Sequence, residues 1–195
     1  MHVDTLIAKR VRELRKSRGY TLDQLAEHSG VSRSMISLIE REETSPTAAV
    51  LNKLADALSV TLATLFADAP GAVPEQPLSR YAEQQIWRDP ASGYLRRHVS
   101  PAGFASPLEL VELTFPPGAT VAFDNVARNV ITHQQVWVLE GEMEITLGEQ
   151  RWQLQAGDCL AMTLDRHIAF HNATDRPARY ALVLTTLSPV SRRTP

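Results

Sequence analysis

The 195-residue sequence holds a single cysteine, Cys159, which excludes an intrachain disulfide and any Cys-rich zinc site. Its place in the apolar run CLAM, 159–162, marks it as a buried small side chain and not a nucleophile. Long apolar runs are missing as well. The most hydrophobic helical stretch is broken by Asn52, Lys53 and Asp56, so no membrane span is expected. The opening MHVDTLIAKR lacks the basic-then-apolar order of a secretion signal, and a cytoplasmic location is expected. Aromatic residues make up 6% of the chain and form no stacking platform of the kind RNA-binding modules use. There is no low-complexity tract and no repeat period. What remains is an ordinary globular composition, 44% hydrophobic and 22% charged, long enough for one large domain or two small ones.

The formal charge of −2 hides an uneven layout. Between Lys9 and Arg18 lie six basic residues (Lys9, Arg10, Arg12, Arg15, Lys16, Arg18) and one acid, Glu13, so that segment carries +5 and the remainder −7. Such a cluster fits a phosphate backbone; taken alone, it fits a solvated helix face equally well.

The surrounding periodicity separates the two. Ile7, Val11 and Leu14 repeat at helical spacing and predict a first helix ending near Gly19, with the basic residues largely on its other side. Thr21 and Gln24 form a capping box for a second helix that buries Leu22, Leu25 and Ala26. Gly30 closes a turn, and Ser32 caps a third helix, SRSMISLIE, with Ile36 and Ile39 inward. Ser45-Pro46 is expected to start a fourth helix carrying Val50, Leu51, Leu54 and Leu58, and a short fifth covers Thr61 to Phe66. Two short helices around Gly30 make a helix-turn-helix, whose second member suits the major groove. Arg33, Ser34, Ser37 and Leu38 occupy the face of helix 3 opposite Ile36 and Ile39, small groups and one guanidinium able to approach base edges.

The stretch RVRELRKSRGYTLDQLAEHSGVSRSMISLIEREETSPTAAVLNKLADAL resembles the phage-repressor-like (XRE) helix-turn-helix family over about residues 5 to 66. The resemblance implies a five-helix lambda-repressor-like bundle that binds double-stranded DNA. It implies base-facing positions for Arg33, Ser34 and Leu38, with Thr21, Ser32 and Arg41 near phosphates. Arg10 and Arg15 of the basic cluster are expected to meet phosphates too. Glu42 stands where many relatives carry glycine, which leaves the end of the recognition helix open.

After Phe66 the pattern changes. ADAPGAVPEQP, 67–77, has three prolines, one glycine and no apolar period, and reads as a linker between domains 1–66 and 78–195. Extended at ~3.1 Å per residue, it would reach roughly 35 Å, comparable with the ~34 Å between successive half-sites on one DNA face. Beyond it, LELVELTF (108–115), QQVWVLEG (134–141), EMEITL (142–147) and ARYALVLTTL (178–187) read as strands bounded by turn-rich segments, as in a sandwich or small barrel. PPG (116–118), VWVLEGEMEITLG, LQAGDCLAM and FHNATDRPARY resemble the cupin family over roughly residues 80 to 187. The implied fold is a multi-domain α + β chain ending in a cupin (double-stranded β-helix, jelly-roll) barrel.

Metal-binding cupins carry histidines and a glutamate at positions that fall here on Arg128, Val130, Gln134 and Ile168. A cation, two alkyl groups and an amide lack the imidazole and carboxylate donors that Zn, Fe or Ni need, so no metal and no cofactor are expected. A displaced site from His133, His167 and His171 is the competing reading; strand alternation turns these away from the pocket unless bulges intervene. The pocket is expected to receive Gln134, Val136, Val138, Ile168 and Phe170, with Arg128 available to a carboxylate or phosphate. These apolar residues equally fit a filled barrel. Trp137 and Trp152 are assigned to packing or dimer contact.

The expectation is a homodimeric transcription regulator, with repression as its output, that binds a pseudo-palindromic operator and takes a small-molecule effector in its cupin domain. Two alternatives stay open: a cupin enzyme of the metal-dependent dioxygenase or isomerase type with a DNA-binding appendage, and an effector-free DNA-binding or antitoxin-like protein.

Overall fold

The computed structural model describes residues 3–67, 76–102, 104, 106–125 and 131–187. Most of the expected linker, 68–75, and the pocket residue Arg128 lie outside the described residues.

The head contains helices α1 (Val3–Ser17), α2 (Leu22–Ser29), α3 (Arg33–Glu40) and α4 (Ala48–Ala57). Capping sets their limits. Thr21 accepts from the Gln24 amide while Gln24 reaches back to the Thr21 amide. Gly30 ends α2 in the left-handed region at φ 65°, and the Ser32 hydroxyl accepts from the Met35 amide at 3.2 Å. Two expectations need correction. The cap of α4 is Thr47, whose hydroxyl accepts from Val50, so Pro46 precedes the helix; Ser45 instead donates to Asp4 at 2.9 Å. The segment expected to be a fifth helix is a four-residue 3₁₀ turn, Ala63–Phe66, too short for a run of α-type bonds.

The body holds two antiparallel sheets. The larger runs β1 (Ile86–Arg88), β2 (Leu95–His98), β3 (Leu108–Phe115), β10 (Ala178–Leu187), β5 (Ile131–Glu140) and β8 (Cys159–Thr163). The smaller runs β4 (Thr120–Phe123), β9 (Ile168–His171), β6 (Glu142–Leu147) and β7 (Gln150–Gln155). They face each other as a sandwich, not a closed barrel, with Phe170 stacked on Tyr180 across the interior at 6.0 Å. Alternation along β5 buries Thr132, Gln134, Val136 and Val138 and exposes His133 and Gln135. A bulge at Arg179/Tyr180 lies beyond this segment and leaves its phase unchanged. In β8 the same rule buries Met162 and exposes Cys159, correcting the expectation that the cysteine is buried. Gly141 turns β5 into β6 at φ 74°, and a Cβ there would stand 2.9 Å from the Pro177 carbonyl.

Head and body share a core. Phe66 meets Trp87 edge-on at 5.5 Å and His98 at 4.7 Å, with the Arg96 guanidinium 5.6 Å from its ring centre. Asp89 of the body accepts from the Ala48 amide at the start of α4, 2.9 Å away. The first turn of a head helix is thereby fastened to the sheet.

Candidate nucleic-acid interface and inter-domain cavity

Helix α3 buries Ile36 and Ile39 and turns its amino-terminal edge outward: Ser32, Arg33 and Ser34 are exposed, and Ser37 and Leu38 half-buried. Arg33 sits 3.1 Å from Asp23, both side chains more than half exposed. A pair this wet is worth at most ~1 kcal/mol, so the guanidinium is readily released to another acceptor. Thr21 and Arg41 are also exposed, the latter 3.0 Å from Glu43. Glu42 occupies the left-handed region at φ 63°, a conformation that favours glycine; Thr5 donates to its carboxylate at 2.8 Å and helps hold that turn.

Arg10 and Arg15 depart from expectation. Arg15 gives Glu40 two charge-assisted bonds, of 2.6 and 2.7 Å, and a third at 2.9 Å to the Tyr20 carbonyl. Its side chain is 13% exposed and that of Glu40 7%, so the pair fastens α1 to α3 inside the head. Its pKa is raised by the Glu40 hydrogen bond. Arg10 donates to the Thr64 carbonyl and to Glu13, with its side chain 11% exposed. Both donors are spent internally, because they face the α1 surface that packs on the 3₁₀ turn and α3. The exposed cations of the cluster are Lys9, Arg12, Lys16 and Arg18. Spacing alone did not distinguish these two sets.

A cavity of about 70 Å³ lies where the head meets the open end of the sandwich. Gln134, Ile168 and Phe170 line it, whereas Val136 and Val138 do not. These two valines are fully buried opposite Leu182 and Tyr180, deeper in the sheet, and act as filling. The polar wall is formed by residues the sequence reading passed over. Arg96 donates to Glu109 at 3.0 Å, with side chains 4% and 16% exposed. Burial raises the Glu109 pKa, and the neighbouring Arg96 charge opposes that shift. Asn125 donates to the Arg166 carbonyl at 3.1 Å and leaves its Oδ1 without a partner; the Nε of Arg96 is likewise buried and unpaired among the described residues. A signal for Glu109 existed, since it shares the inward phase of Val111, Leu113 and Phe115. The head contributes Asn52, Thr61, Leu62 and Ala63 to the same wall.

The structure describes two of the four positions where metal-binding cupins place ligands, Gln134 and Ile168. One is an amide and the other an alkyl group, a poor donor set for a transition metal. His133 and His167 are exposed, and His171 shares a hydrogen bond of 2.8 Å with Thr120. Among the described residues no group of three or more His, Cys, Asp and Glu is placed to hold a metal ion. No helix among them is long and apolar enough to cross a membrane.

A helix-turn-helix family model matches residues 11–65 and a cupin-domain model residues 111–185. The chain is 27% identical to the HTH-type transcriptional regulator SutR of Escherichia coli K12, covering 87% of this chain and 89% of that protein. It is also 27% identical to the HTH-type transcriptional regulator PuuR of the same bacterium, covering 85% and 87% of the two chains. The crystal structure of an HTH_3 family transcriptional regulator from Vibrio cholerae superposes with a TM-score of 0.74 at 29% identity, over 94% of this chain and 96% of the other.

Proposed function

We propose that the chain is a DNA-binding transcriptional regulator of the helix-turn-helix type with a C-terminal cupin domain, and that it acts as an effector-responsive repressor in homodimeric form. The reading rests chiefly on the exposed edge of α3. Arg33 and Ser34 reach base edges, Ser37 and Leu38 line the same face, and Thr21, Ser32 and Arg41 approach phosphates. Lys9, Arg12, Lys16 and Arg18 supply the electrostatic part in place of Arg10 and Arg15. The outer face of the larger sheet carries Leu108, Leu110, Trp137 and Val183 in exposed positions, an apolar surface that supports pairing of two copies. Two heads held by paired bodies match a pseudo-palindromic operator.

The cupin domain senses and does not catalyse. Supporting this are the amide and alkyl side chains at Gln134 and Ile168 and the cavity bounded by Ile168 and Phe170. We place the effector there. Selection from a pool of random duplexes at low salt tests the reading: the wild type is expected to enrich a two-fold symmetric site. Arg33→Ala is expected to lose ~1–3 kcal/mol and its base preference at one symmetric pair of positions. Absence of enrichment over the starting pool would reject sequence-specific binding.

A further inference from the structure

We propose that the cavity takes a small ligand of no net charge and that the Thr61–Ala63 segment of the DNA-binding head forms one wall of the bound site, so that occupancy and head docking rise together. The proposal rests on the cavity being the effector site and adds the class of ligand and the route of regulation.

Three observations carry it. First, the wall is composite: Asn52, Thr61, Leu62 and Ala63 come from α4 and the turn after it, while the remaining lining residues come from the sandwich. A ligand seated there touches both units, and binding to the docked arrangement then favours it by mass action. Second, the charges on the described part of the wall already cancel. Arg96 and Glu109 bond each other at 3.0 Å, both largely removed from water. A free anion would have to compete with Glu109 for the guanidinium, and a free cation with Arg96 for the carboxylate; an uncharged amide competes with neither. Third, the hydrogen-bonding capacity left over is neutral and two-sided. Among the described residues, Arg96 keeps an unpaired donor at Nε and Asn125 an unpaired acceptor at Oδ1, and Gln134 makes a single 3.9 Å contact, to the Met162 sulfur. An occupant with one donor and one acceptor complements this set, with its hydrocarbon part against Phe115, Ile168 and Phe170. At about 70 Å³ the space suits a molecule of few heavy atoms.

The head is joined to this wall through Phe66, packed at the end of the same turn against Trp87 and His98. A shift of Thr61–Ala63 therefore moves the aromatic joint that sets the angle of the helices above the body.

Hydrogen exchange on the full chain provides the test, with three probes of matched skeleton: propanamide, propanoate and propylamine. Propanamide is expected to slow exchange of the 61–66 amides by about threefold when present at twice its dissociation constant, together with β3 and β5. Ala63→Leu, which fills the cavity from the head side, should abolish that protection; should this variant fail to fold, Leu184→Phe fills it from the body side. Protection by propanoate or propylamine in preference to the amide overturns the ligand class, as does binding of none of the three. Protection confined to β3 and β5, with 61–66 unchanged, overturns the head's part in the site. No DNA enters this measurement, so its failure is distinct from a failure to select an operator.

Discussion

Replacing Arg15 with alanine separates a cation that builds the head from one that meets DNA. In the wild type its guanidinium makes three hydrogen bonds, of 2.6, 2.7 and 2.9 Å, to Glu40 and the Tyr20 carbonyl. Removing it leaves the Glu40 carboxylate, only 7% exposed, without its cation. Breaking a buried pair from one side costs ~3–5 kcal/mol, and the partial exposure of Arg15 places the loss near 3 kcal/mol. A domain of this size has roughly 3–9 kcal/mol in total. The helical signal in far-UV circular dichroism, which comes from the head, should therefore melt roughly 12–24 °C lower. At a temperature where the head remains folded, the dependence of operator affinity on salt should keep its slope, because no phosphate contact has been lost. Arg12→Ala should behave in the opposite way: stability within ~0.5 kcal/mol, and the slope of log affinity against log salt lower by about 0.9 per bound protomer. A stable Arg15→Ala protein with a reduced slope would show that Arg15 leaves Glu40 for the DNA backbone, and would refute this division of the basic cluster.

His98 is held below its ordinary value of 6.5 by burial first and the Arg96 charge second. Protonation thus favours the unfolded chain, and its contribution to stability is lost as pH falls below about 6.5, at a rate of at most ~1.4 kcal/mol per unit. Comparing thermal melts of wild type and His98→Gln between neutral and mildly acidic pH isolates this slope from Glu109, whose raised pKa works in the other direction; equal slopes would contradict it. Asp89→Ala removes the acceptor for the Ala48 amide and is expected to cost about 1–2 kcal/mol, read as faster exchange at the start of α4, with Asp89→Asn largely retaining protection. Gly141→Ala forces a side chain to φ 74° with a Cβ 2.9 Å from the Pro177 carbonyl, and should destabilise the body by about 2 kcal/mol or more in urea unfolding; a neutral result would mean that the β5–β6 turn yields easily.

Local chemistry was legible from the chain alone. The capping box at Thr21, the left-handed Gly30, the Ser32 cap and the inward Ile36 and Ile39 involve residues within a few positions of each other, so their spacing specifies their geometry. Period-two alternation likewise separated Gln134 from His133 and Ile168 from His167, because successive side chains on a strand must face opposite ways. Pairings between distant segments were another matter. Whether Arg15 faces solvent or Glu40, twenty-five residues on, depends on how α1 crosses α3. Asp89 reaches back 41 residues to fasten α4, which no local pattern announces. The cavity itself exists only because the turn after α4 closes over Arg96, Glu109 and Gln134. Each of these residues is ordinary in its own strand, and packing of two separately patterned units decided what they surround.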